Sequence, residues 1–182
     1  MFSNNSAQSL IETLVAVVIA ASAIIAIASL GQAFLNLGGQ SAERVLATNL
    51  AREGLEVVQA IRASYSLDTS IDWLDEFDEG SYRVHWESEN LDDLALPDNS
   101  NIEDCTNCWL CLEGSPSIYR HNCSSYDDAI FKRIIEIEDF TPSNGCAGGG
   151  DCGREITSTV WWQEKGRPHK VFLKLILTDW RE

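Results

Sequence analysis

The sequence predicts an α+β protein, with one long N-terminal α-helix whose second half packs on a roughly four-stranded antiparallel sheet carrying a Cys-rich loop. No residue between Glu12 and Glu43 is charged. Apolar residues then recur at helical spacing from Ser41 to Ser64, and segments nearer the C-terminus alternate apolar and polar residues as half-buried strands do. At 182 residues the chain holds one or two small domains, too few for a large multidomain enzyme.

The helix reads in two halves. Residues 10–37 are the apolar half, in which the run from Thr13 through Leu30, with Leu10 and Ile11 before it, approaches the roughly 20 apolar residues that cross a bilayer. Gly31, Gly38 and Gly39 follow. Each helical Gly costs about 1 kcal/mol relative to Ala, so a bend or local melting is expected there. Residues 41–65 are the amphipathic half, with Leu46, Leu50, Gly54, Val57, Val58, Ile61 and Tyr65 on one stripe. That stripe is expected to face the protein's own sheet, while Arg52 and Glu56 can pair at i, i+4 on another face.

Residues 67–182 read as a globular β domain. Strands are expected at Ser81–Glu87, Phe131–Ile137, Ile156–Gln163 and Lys170–Thr178, the last two joined by the loop Glu164-Lys165-Gly166-Arg167-Pro168. Val171, Leu173, Leu175 and Leu177 share one face of the last strand, and Trp161-Trp162 must send one ring to each face of theirs. An outward Trp is a candidate contact for a neighbour.

Charge is segregated along the chain. Lys+Arg 13 against Asp+Glu 28 give a net charge of -15, with most of the excess between Leu67 and Asp104. Phosphate backbones need clustered Lys and Arg, so no direct nucleic-acid binding is expected. The acidic stretch is read as solvated, since Asp98 to Asp104 lacks the Gly and terminal Glu of an EF-hand.

An acidic, Cys-rich loop is expected at about residues 90–128, with Cys105, Cys108, Cys111 and Cys123 in it and Cys146 and Cys152 beyond it. An even count in an exported domain indicates up to three disulfides, and six Cys allow 15 connectivities. Cys146 with Cys152 is the best single pair, because the Gly148-Gly149-Gly150 run lets a short loop close. The other four cannot be paired from sequence. The alternative is a membrane-anchored exported redox or metal protein, using Cys105, Cys108, Cys111 and Cys123, or His121, for zinc or an iron–sulfur cluster. Thiolate sites suit a reducing cytosol, so disulfides are preferred and no metal or cofactor is assigned. His85, His121 and His169 lie in no nucleophile context and no HExxH-like spacing, so no catalytic residue and no enzyme is expected.

Glu12 is the anomaly of the apolar half. A carboxylate in hydrocarbon costs several kcal/mol and ordinarily faces a partner. A secretory signal cut at Ala21-Ser22-Ala23 or Ala26-Ile27-Ala28, the latter leaving a chain that begins at Ser29, would lack its basic n-region, and a plain anchor leaves Glu12 without a purpose. The residues Ala7-Gln8-Ser9-Leu10-Ile11-Glu12-Thr13-Leu14-Val15-Ala16 resemble the class III signal of type IV pilins and pseudopilins. The stretch Ala51 to Arg62 is similar to the helix end of minor pilins of the pilus-modification type.

The resemblance implies a leader of residues 1–7, a helix over 8–66, cleavage by a prepilin peptidase between Ala7 and Gln8, and N-methylation of Gln8. Ala7 stands where the family usually has Gly, and Gln8 where it usually has Phe. It further implies a minor pilin or pseudopilin, pilin-like in fold, with Glu12 setting register in a filament. The implied partners are other pilins, the peptidase and a pilus assembly platform. The chain would cross the inner membrane once, with its C-terminal domain outside the cytoplasm, before joining a surface pilus or periplasmic pseudopilus. Arg44, Arg52 and Arg62 follow the span, against the positive-inside rule, but a large Cys-rich domain is better explained outside the cytoplasm.

Overall fold

The computed structural model describes residues 5–67, 72–91, 95–96, 101–114, 118–121, 125–126, 129–142 and 152–178, with side chains described for all of these except 5–9, 36–37 and 66. The chain divides into two compact units, Met1–Glu43 and Arg44–Glu182. A single helix, α1 (Asn5–Leu67, 63 residues), contributes to both.

In the first unit α1 runs without interruption through Gly31, Gly38 and Gly39, where melting was expected. Helix propagation across them follows from the strong helix formers on either side, because the nucleation cost arises once and each added residue gains a hydrogen bond. Hydroxyls in this half are satisfied within the helix: Thr13 Oγ1 donates to Leu10 O at 3.0 Å, Ser22 Oγ to Val18 O at 2.7 Å and Ser29 Oγ to Ala26 O at 2.8 Å. An apolar surrounding requires that. The helix is long and apolar enough to cross a membrane, with a mean hydropathy of 2.6 in its best 18-residue window.

The second unit is α+β. Its strands are β1 (Gly80–Tyr82), β2 (Trp109–Glu113), β3 (Ile118–Arg120), β4 (Phe131–Asp139), β5 (Gly153–Glu164) and β6 (Arg167–Thr178). They run in the order β3-β2-β4-β5-β6, with every pairing antiparallel. One edge of β4 is shared, β2 pairing at Phe131–Lys132 and β1 at Ile135–Ile137, while the other edge takes β5 along its whole length.

The last three strands fall where alternation placed them, each longer than expected. The first does not. Only Gly80–Tyr82 pairs, because beyond it the carbonyl of Val84 accepts from the Arg133 guanidinium at 2.6 Å instead of a strand neighbour. The expected loop at 90–128 contains two strands, β2 and β3. The β5–β6 connection is a two-residue turn, Lys165-Gly166, with φ of 49° and 79°. Both residues left-handed is the type I′ geometry that matches strand twist. Pro168 therefore sits inside β6, as it can on an edge strand, where an absent N–H costs no ladder bond.

Residues 44–67 of α1 cover one face of the sheet. Ala47, Leu50, Ala51, Val58 and Ile61 are buried, joining Phe131, Val160 and Trp162 at one end and Trp73, Phe77, Ile137 and Ile156 at the other. Helix and sheet lie close together at Gly54. A Cβ there would lie 2.9 Å from Ile135 Cδ1 and 3.0 Å from Ser158 Oγ, so the smallest residue sets the approach. Arg133 occupies the layer between, wholly buried, donating to Leu50 O at 2.7 Å and pairing with Glu53 at 3.3 Å. Desolvation lowers its pKa, which Glu53 opposes.

The sheet separates the tandem tryptophans as expected. Trp162 faces the helix against Phe131. Trp161 takes the other face but is 9% exposed, which removes it as a free contact for a neighbour.

Candidate functional site

The N-terminal residues singled out by sequence lie on the first turns of α1. The Ala7–Gln8 peptide is helical, and the helix begins at Asn5, ahead of the expected mature start. Gln8 and Glu12 are helical i, i+4 neighbours, so an amino terminus created at Gln8 would lie one turn from the carboxylate. Glu12 is exposed, and so are the apolar residues around it, with Leu10 69% and Leu14 66% accessible. One anion thus stands on a surface otherwise made of aliphatic side chains. In hydrocarbon such a charge is costly unless a cation faces it.

The cysteine region is held in a different way. Cys105 and Cys108 form a disulfide with Cα atoms 5.5 Å apart, and Cys111 and Cys152 are each in a disulfide of their own. Cys123, and Cys146 of the Cys146–Cys152 pair expected from sequence, lie outside the described residues. Among the described residues there is no free cysteine and no group of three potential metal ligands. A disulfide sulfur is not a thiolate, so the Cys105, Cys108, Cys111 run offers none.

A clamp that sequence reading missed ties this region to the sheet. On the face away from α1, the register aligns Trp109, Lys132, Trp161 and Lys170 across β2, β4, β5 and β6. The Lys132 ammonium lies 4.7 Å from the Trp109 ring and 5.1 Å from the Trp161 ring, and donates to the carbonyl of Glu103. Two indole faces substitute for lost water, and the carbonyl fixes residues 101–108 over the strands. Burial lowers the Lys132 pKa, opposed by Asp104 and Glu103. Alternation alone could not show this, since Lys132 and Arg133 are adjacent and both buried.

The three histidines sit in different surroundings. His121 is 2% exposed and donates from Nδ1 to Trp109 O at 3.0 Å. Burial, with the Arg133 charge nearby, pushes its pKa down to about 3, so it is neutral. His85 meets Ser88 Oγ at 3.3 Å, and burial lowers its pKa too. His169 stacks on Trp162 with ring centroids 5.3 Å apart.

Comparison with known protein families, with characterised proteins and with solved structures found no match to this chain.

Proposed function

We propose that the chain is a structural subunit of a filament of the type IV pilus or type II secretion class, a minor pilin or pseudopilin with a pilin-like fold. The observation that carries this is the placement of Glu12, the lone charge in the apolar half of a helix whose next half covers an antiparallel sheet. A prepilin peptidase would cut between Ala7 and Gln8 and methylate Gln8. The new ammonium of one subunit and Glu12 of its neighbour would then pair inside the filament core. Much of the attraction between two such charges offsets their desolvation, so the pair fixes axial register more than it adds stability.

The globular unit would stand outside the cytoplasm, where disulfides such as Cys105–Cys108 persist. Its partners would be other pilins and an assembly platform, and its work mechanical or adhesive rather than catalytic.

Glu12→Ala tests this reading. The variant should insert in the membrane as well as wild type, and be lost from sheared surface filaments or from the periplasmic pseudopilus fraction. Incorporation at the wild-type level would remove the role of Glu12 and with it the ground for the assignment.

A further inference from the structure

The second unit carries opposite charges at its two ends. At the β5–β6 turn, Lys165, Arg167 and Lys170 are exposed, and Arg167 and Lys170 form no ion pair among the described residues. Among the described residues the acids near that end are Glu164, largely covered and 4.0 Å from Lys165 and from His169, and Glu103 and Asp104, whose charges act on Lys132. Phe172, two residues beyond Lys170 on the same face, is 58% exposed. A hydrophobic ring among cations on an open edge strand is a surface fitted to be covered.

The other end is acidic. The segment between α1 and β1 exposes Asp72, Asp75, Asp78 and Glu79. It is anchored at the start of β5, where Arg154 Nε donates to Phe77 O at 2.7 Å and its Nη2 to Leu74 O at 3.0 Å. Among the described residues the cations there are already engaged: Arg154 pairs with Asp139 at 2.6 Å, and Arg62 lies 4.5 Å over the Trp73 ring and donates to Thr178 O. Since β5 has 12 residues, at about 3.3 Å per residue the two ends are on the order of 35–40 Å apart.

From this polarity we infer that copies of this chain associate head to tail through their globular units, the Lys165–Phe172 end of one docking on the Asp72–Glu79 end of the next. A self-complementary two-fold contact at either end would set like charges together. The two ends favour instead a heterologous contact, which repeats without closing and suits a filament. The biological role of this contact rests on the filament reading above, but the contact itself does not require cleavage.

The test uses the full-length, uncleaved chain in a non-ionic detergent, with sedimentation velocity at about 0.02 M and about 0.5 M salt, where screening differs several-fold in range. Wild type should form species larger than the monomer at low salt that dissociate at high salt. K165E/R167E/K170E has two acidic ends and should be monomeric, as should D72K/D75K/D78K with two basic ends. An equimolar mixture of the two variants should associate again. All six positions are exposed, so thermal unfolding should match wild type and show that loss of association is not misfolding. Association that ignores salt and both reversals, or a mixture that stays monomeric, overturns the inference. Charge-dependent association in a chain that is never cut at Ala7 would uphold the contact while overturning the filament role.

Discussion

The two halves of α1 show what context does to the same kind of residue. In the first half Leu10, Leu14, Ile25 and Leu30 are 58–69% exposed, and in the second Leu50 and Ile61 are 2% exposed. Helix propensity cannot distinguish them, since both halves are rich in Ala, Leu, Ile and Val. What differs is the arrangement. The second half places Ala47, Ala51 and Gly54 beside larger residues on one stripe, leaving Arg52 and Glu56 to pair at 2.9 Å in solvent. The first half is apolar all round, which a water-facing helix is not. One half is specified by its own sheet; the other is long and apolar enough to cross a membrane.

The largest test of that contrast is a matched pair of truncations. Leu50→Ala should destabilise the second unit by about 2–5 kcal/mol, through lost burial and the cavity left. Leu14→Ala should leave the unfolding midpoint of that unit unchanged, because Leu14 packs on none of its core. Denaturant unfolding of both variants in detergent decides it, and equal losses would break the division.

A smaller effect is expected from Gly54→Val. The added groups meet Ile135, Ser158 and Arg133, so overpacking should cost about 1–3 kcal/mol. Gly38, whose Cβ would meet nothing within 4 Å, should accept the same change without loss in the globular unit. A Gly54→Val variant as stable as wild type would show that the helix sits less tightly than these distances indicate.

The smallest effect is a slope with pH. His121 stays neutral in the folded protein down to about pH 3, whereas in the unfolded chain it binds a proton near its ordinary value of 6.5. Between those limits the unfolded state holds more protons, so stability falls as pH falls, by up to about 1.4 kcal/mol per pH unit from this group. Above pH 6.5 it contributes no slope. His121→Phe should flatten the pH 4–6 dependence of unfolding, and an unchanged slope would assign it to other groups.

Local pattern made much of this fold legible before any coordinates. The stripe from Leu46 to Tyr65, the three C-terminal strands and the Arg52–Glu56 pair follow from period 3.6, period 2 and i, i+4 spacing. What escaped depended on distant partners. Strand Phe131–Ile137 alternated only in part because Arg133 takes an inward position among Phe131, Ile135 and Ile137, and its guanidinium is made tolerable by the carbonyls of Leu50 and Val84 and by Glu53. The same guanidinium ends β1 early. Strand β2 is hard to read from sequence because its apolar run Trp109-Leu110-Cys111-Leu112, which Gly114 bounds, is short and includes the last Cys of the Cys105, Cys108, Cys111 spacing. At the candidate site the legible part was chemical: an unshielded carboxylate in an apolar run is visible in the sequence itself.

The assignment as a filament subunit is tested most directly by the intact mass of this protein recovered from sheared filaments. The account predicts a mature chain that begins at methylated Gln8. A chain beginning at Ser29, or one that retains Met1, would contradict it.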